Sequence, residues 1–197
     1  MLKPVVSLAL VAFTVVIGVA APAHAQSAIA TRPGLEVIVP SGTVVPTGAQ
    51  DADMKRGNLT AVQLSYGLHP SLVLTSTVGW ARTRPIGRGS DARLDLFTYD
   101  AGAEYRLARR PSDGRVSVKP FTGIGIGART YNYRKVDLAT THHLAAYASV
   151  GGEIGNRRLR VRLEVRDYLT WLNHPISAAT STRNDVAVLA GLRLGLR

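Results

Sequence analysis

No cysteine occurs in the 197 residues. That excludes a disulfide-stapled domain and a lipoprotein tethered through a cysteine. Sustained 3.6-residue periodicity is also missing, which argues against a helical fold. Past residue 21 no apolar run approaches the ~20 residues that a membrane helix needs. Acidic residues are scarce: 13 Asp and Glu face 24 Lys and Arg, a formal net charge of +11.

The N-terminus supplies the compartment. Lys3, an apolar run from Val5 to Ala21 and the small-x-small site Ala23-His24-Ala25 have the layout of a secretory signal cleaved before Gln26, so residues 1–25 are expected to be removed and 26–197 to form one domain. An exported basic chain meets anionic lipid and polysaccharide phosphate, so no nucleic-acid partner is expected.

What is present is alternation. Residues 158–172 read RLRVRLEVRDYLTWL: Leu159, Val161, Leu163, Val165, Leu169 and Trp171 share one parity, and Arg158, Arg160, Arg162, Glu164, Arg166 and Tyr168 the other. Successive side chains of a strand point to opposite faces, so this is a strand with one apolar and one charged face. Eight such segments follow one another, at 34–45, 58–68, 71–82, 93–107, 116–131, 142–154, 158–172 and 183–197. The connections after the second, fourth and sixth are expected to be the short ones, the asymmetry of a membrane barrel with short periplasmic turns and longer external loops.

A soluble barrel or sandwich would turn the aliphatic faces inward. The interior of eight strands is only just wide enough for side chains to fill, and the Leu, Val, Ile, Tyr and Trp of that parity would overfill it. The Gly-, Ala- and Ser-rich parity fits inside. It carries Glu36, Asp100, Glu104, Arg106, Lys119, Arg129, Glu153, Arg160, Arg162, Glu164, Arg166 and Arg193, expected to form a ladder of ion pairs plugging the lumen. A tight turn after Ile154 would set Glu153 opposite Arg160 and Tyr147 opposite Arg166, and Glu104 would reach Lys119. Trp80, Phe97, Tyr99 and Trp171 fall near the outer strand ends and Tyr66 and Tyr105 near the inner ones, as two aromatic girdles. Arg82 and Asp167 lie on the lipid parity, where interfacial placement or a local bulge would accommodate them.

This pattern resembles the small outer-membrane β-barrel proteins of the outer membrane protein A type. The resemblance implies an all-β, eight-stranded, antiparallel up-and-down transmembrane barrel in a Gram-negative outer membrane, contacting lipid and lipopolysaccharide and inserted by the barrel-insertion machinery. Such chains commonly end on an aromatic residue read by that machinery, whereas this one ends Leu194-Gly195-Leu196-Arg197. No cofactor or metal site is expected.

Other functions have candidate residues in the sequence. A narrow porin-like path through the charged lumen is the principal alternative. Lipid A deacylases of the outer membrane use a His/Ser/Glu set; His142, His143, Ser149 and Glu153 are spread over some ten residues, roughly 33 Å of strand, too far for a relay. His69-Pro70-Ser71 reads as a turn, and Gly123, Gly125 and Gly127 lack the lysine and helix of a phosphate-binding loop. Lys55, Arg56, Arg84, Arg88, Arg134, Lys135 and Arg183 are expected in the external loops, either clamping the phosphates of an outer-leaflet glycolipid or as a solvated basic rim, and Arg109, Arg110, Arg115 and Arg157 on the periplasmic side against anionic inner-leaflet lipid.

Overall fold

The computed structural model describes residues 34–47, 54–86, 92–107, 117–135, 140–156, 159–173 and 180–196. Residues 1–25, expected to be a signal, lie outside them, as do Arg88, Arg109, Arg110, Arg115 and Arg157. Eight strands, β1 (Leu35–Thr47), β2 (Gly57–His69), β3 (Leu72–Thr83), β4 (Arg93–Arg106), β5 (Ser117–Arg134), β6 (Thr141–Gly155), β7 (Leu159–Asn173) and β8 (Thr180–Gly195), close into one antiparallel up-and-down barrel in sequence order. Closure removes every sheet edge, and it rules out the two separate sheets of a sandwich.

Proline marks where the wall is least complete. β1 pairs with β2 from Leu35↔Tyr66 to Ile38↔Gln63 and again from Ser41↔Thr60, with no partner across the ladder for Val39 and Pro40. Pro40 has no N–H to give a ladder, and its other side is held by β8 through Pro40↔Gly191.

Three expectations about the connections need correction. The link between β4 and β5 covers 107–116 and is the longest of all, so short and long connections do not alternate strictly. Glu153 pairs with Arg162 and Tyr147 with Tyr168, not with Arg160 and Arg166. The β6–β7 hairpin turns one residue later than expected, because Gly155 takes φ +148° and stays in the ladder opposite Arg160. Asn156 then closes the turn, its side chain accepting from Leu159 N–H at 2.9 Å. Glu104 pairs with Gly123, and Lys119 sits across from Glu153 on β6. A shift of two residues keeps every side chain on its face, so the assignment of faces is untouched.

Exposure is inverted relative to a soluble protein. Ile126 and Leu144 are 71% and 72% exposed, while Arg129 and Arg162 are 0% and 1% exposed. A belt of exposed aliphatic side chains around buried guanidinium groups is unstable in water and stable in lipid. The six aromatic residues expected in girdles all face outward. Trp80 pairs with Phe97 in one row; eight residues down β3, roughly 26 Å of strand, Leu72 pairs with Tyr105 in the other.

Above the Trp80–Phe97 row the polarity reverses. Asn58, Arg82, Asp95, Asn132 and Arg134 occupy the outward parity there, and Leu59, Ala81, Leu94, Leu96 and Tyr131 the inward one. This end of the barrel, which carries the β1–β2, β3–β4, β5–β6 and β7–β8 connections, has the dry core and polar wall of a protein in water. The aliphatic belt therefore stops at the tryptophan row. Arg82 and Asp95 lie just beyond it and pair at 2.9 Å, so Arg82 is interfacial. Asp167 sits in an unbroken ladder between Ala148 and Val186, with no bulge.

Candidate functional site: the barrel interior

The lower interior, at the end of the β2–β3, β4–β5 and β6–β7 turns, is a web of arginines and carboxylates contributed by five strands. Arg162 on β7 is its centre. One guanidinium reaches Glu104 at 2.5 Å, Glu153 at 3.1 Å and Glu164 at 3.0 Å, and lies over the Phe121 ring at 3.7 Å. Alternation puts Arg160, Arg162, Glu164, Arg166 and Tyr168 on one inward row, and antiparallel pairing sets Glu153 beside Arg162. Arg106 extends the web to Glu36 at 2.7 Å and Glu104 at 3.0 Å; Arg193 joins Glu153 at 2.7 Å and also pairs with Glu36.

A second cluster stands one step higher. Arg166 bonds Glu164 at 2.8 Å, Asp100 at 3.2 Å and Gln63 at 3.1 Å, and stacks over Tyr147 at 4.4 Å. The Tyr168 hydroxyl donates to Asp100 at 2.7 Å. Gln63 links the two clusters by donating to Glu104 at 3.0 Å. The Tyr147 side chain fits only because Gly102 and Gly125 lack side chains: a Cβ would lie 2.3 Å from its hydroxyl at Gly102 and 2.3 Å from its ring at Gly125. Higher still, Arg129 pairs with Asp185 and covers the Tyr168 ring at 4.0 Å.

Buried charges are tolerable only when paired and hydrogen-bonded, and here most arginines answer two or three acceptors. Ten of the twelve lumen residues predicted from parity stand in ion pairs: Glu36, Asp100, Glu104, Arg106, Arg129, Glu153, Arg162, Glu164, Arg166 and Arg193. Among the described residues Lys119 and Arg160 form no ion pair with a carboxylate; both sit at the turn end, where Arg160 donates to Ser117 at 3.0 Å. Asp185, Gln63 and Phe121 were missed as members, though each lies on the inward parity; Tyr147 and Tyr168 were placed on that parity and join the Arg166 cluster.

The upper interior has a different chemistry. Val44, Met54, Leu59, Ala81, Leu94, Leu96, Tyr131, Ala187 and Leu189 pack into one buried apolar cluster. A ladder of ion pairs was the expectation, and the upper end adds hydrocarbon to it: Leu94, Leu96 and Tyr131 pack above the Arg129–Asp185 pair, with Arg183 over the Tyr131 ring at 5.7 Å.

The residues considered for hydrolysis stay apart. Ser149 lies opposite Arg166, whereas His143 lies opposite Arg129 with its ring edge-on to Tyr131 at 5.8 Å, six residues along β6. His142 points outward and meets Thr130 Oγ1 at 2.8 Å. Among the described residues no group of three or more His, Cys, Asp or Glu is arranged to hold a metal.

No protein-family model and no curated protein matches the sequence. The fold does match solved structures. Neisserial surface protein A superposes with a TM-score of 0.60 at 12% identity, over 81% of this chain and 96% of that one. The outer membrane protein OprG of Pseudomonas aeruginosa superposes with a TM-score of 0.56 at 13% identity, over 83% and 96%.

Proposed function

The chain has the fold of the eight-stranded outer-membrane β-barrels, and from that premise we propose that it is an exported outer-membrane protein with a structural and surface-interaction role, whose barrel is sealed and catalyses nothing. The observation that carries this reading is Arg162, held by three carboxylates from three strands in the middle of the lumen. A solute would have to break that contact, the Arg166 cluster above it and then the apolar cluster. Eight strands leave no room to pass beside them.

The reading includes a signal peptide at 1–25, a barrel embedded in outer-membrane lipid and lipopolysaccharide, and insertion by the barrel-insertion machinery. The end bearing the β1–β2, β3–β4, β5–β6 and β7–β8 connections faces outward, supported by its reversed polarity above the tryptophan row. The first test is fractionation with a heat-modifiable gel shift: a folded membrane barrel migrates faster before boiling, and recovery in the periplasmic supernatant without that shift would overturn the location. The second is a planar bilayer. The sealed barrel gives no conductance steps; steps in the wild type that Arg162→Ala/Arg166→Ala enlarges would establish the pore instead.

A further inference from the structure

We propose that a cationic cavity at the outer tryptophan row is a binding site for the phosphate groups of an outer-leaflet glycolipid. The cavity, of about 350 Å³, is lined by Lys55, Arg56, Asn58, Arg82, Thr83, Arg84 and Arg93. Five of these seven side chains are cationic, and none of the described residues lining it is a carboxylate. Asp95, across from Arg82 in the β3–β4 ladder, is already engaged by Arg82 at 2.9 Å, by Arg134 at 2.5 Å and by the Trp80 indole N–H at 3.3 Å. Lys55, Arg56, Arg84 and Arg93 have no ion pair among the described residues.

The backbone holds these charges together. Beyond the barrel wall the β2–β3 pairing continues through the Met54↔Pro85 bridge, and Lys55 N–H donates to the Arg84 carbonyl at 2.9 Å. Thr83 Oγ1 donates to the Lys55 carbonyl. Gly57 permits the approach: a Cβ there would stand 2.8 Å from the Arg82 carbonyl oxygen. Lys55 and Arg84 are thus fixed side by side, and antiparallel pairing of Thr83 with Leu94 brings Arg93 to the same level. Like charges gathered this closely repel unless an anion lies between them, and arginine forks suit phosphate oxygens.

The level of the cavity selects the source of the phosphate. Arg82 lies two residues above Trp80, at the upper limit of the aliphatic belt, and its guanidinium stacks on the indole at 4.8 Å. Lipid headgroups occupy that level, with acyl chains against the belt below. A ligand anchored there offers phosphate to the cavity and hydrocarbon to Val78 and Trp80 at once.

The inference rests on the outward orientation proposed above, and the experiment separates the two. The full chain carrying Trp171→Phe keeps Trp80 as its one indole, since the sequence has two tryptophans. Refolded in dodecyl maltoside, it is first checked for the heat-modifiable shift, which tests the barrel alone. Mixed micelles of bis-phosphorylated lipid A are then titrated against Trp80 emission. Expected is a saturable change, weakened about a hundredfold by Lys55→Gln/Arg84→Gln/Arg93→Gln, at roughly fivefold per charge removed near a membrane surface. Lys135→Gln, on the same rim but outside the cavity, leaves the midpoint in place. Fully dephosphorylated lipid A gives no saturable change, and pyrophosphate alone binds at least tenfold more weakly. Equal loss with Lys135→Gln would reduce the cavity to a diffuse basic rim, a response to the dephosphorylated lipid would remove the phosphate, and pyrophosphate binding as tight as the lipid would remove the membrane source; each overturns the proposal.

Discussion

Below the tryptophan row this barrel is charged inside and apolar outside; above it the same eight strands are apolar inside and polar outside. The lower half surrounds Arg162 and Arg166 with Glu104, Glu153, Glu164 and Asp100. The upper half surrounds Leu94, Leu96 and Tyr131 with Arg82, Asp95 and Arg134. What differs is the solvent at the wall. Where lipid takes the aliphatic parity, polar residues are forced inward and must satisfy one another; where water returns, hydrocarbon goes back to the core. The polarity of the interior thus records where the membrane ends.

The two halves should fail differently. In the lower half each charge depends on its partners, so Arg162→Met takes one cation from three buried carboxylates, leaving Glu104 to Arg106, Glu153 to Arg193 and Glu164 to Arg166, and is expected to cost about 3 kcal/mol, the low end for breaking a buried pair. Urea unfolding of the detergent-refolded barrel, followed by the heat-modifiable shift, measures it. A cost below 1 kcal/mol would mean that the carboxylates find water, and that the lower lumen is wetter than a sealed web allows.

The upper half loses packing instead. Leu96→Ala removes fully buried hydrocarbon from the apolar cluster and is expected to cost about 2–3 kcal/mol in the same assay, towards the low end for buried leucines because the barrel mouth can relax. Leu96→Met, of similar volume, should restore most of it. If Leu96→Asn were tolerated as well as Leu96→Met, the upper lumen would not be dry and the contrast between the halves would collapse.

A smaller effect sharpens the boundary. Asp167 points to lipid from an unbroken ladder four residues below Trp171, so Asp167→Val should stabilise the barrel by about 1 kcal/mol, less than an arginine at mid-bilayer would cost. A destabilising result would place water or a partner against that wall.

Much of this was legible in the sequence, and the exceptions have physical causes. Parity is rigid: with a period of two, Arg160, Arg162, Glu164 and Arg166 must share a face, and ten of the twelve residues assigned to the lumen stand in ion pairs there. Register depends on turns, and turns depend on single residues such as Gly155, whose φ of +148° moves the β6–β7 hairpin by one position. That displaced Glu153 from Arg160 to Arg162 without changing its face. The apolar upper core went unread although its signal was present: in Arg93-Leu94-Asp95-Leu96 the charges fall on the parity that Phe97 and Tyr99 occupy just below. A reversal of polarity within one strand marks a change of solvent. Asp185 was missed although it lies on the correct parity of β8, because its partner Arg129 stands on β5 and no sequence period joins the two.

The smallest expected effect is the most discriminating. Arg129 and Asp185 form a pair at the seam between the halves, with the lower web beneath and Leu94, Leu96 and Tyr131 of the apolar cluster above, while Ala187 and Leu189 of that cluster reach below it on β8. As part of the lower half, the pair would hold the web in register; as an intrusion into the upper half, hydrocarbon could replace it. Arg129 is fully buried and rests on the Tyr168 ring at 4.0 Å, and its Nε and Nη2 find no acceptor among the described residues, so it is less well satisfied than Arg162. Replacing an incompletely satisfied buried pair by apolar residues of similar volume is commonly neutral or stabilising, whereas removing one member leaves the other charge uncompensated. Arg129→Met/Asp185→Leu is therefore expected within about 1 kcal/mol of wild type, while Asp185→Leu alone costs about 3 kcal/mol. Urea midpoints for the two singles and the double, taken as a cycle, give the coupling directly. A double variant as unstable as Asp185→Leu would assign the pair to the ionic half and raise the seam above it; a neutral one places the change of solvent inside the lumen at Tyr168.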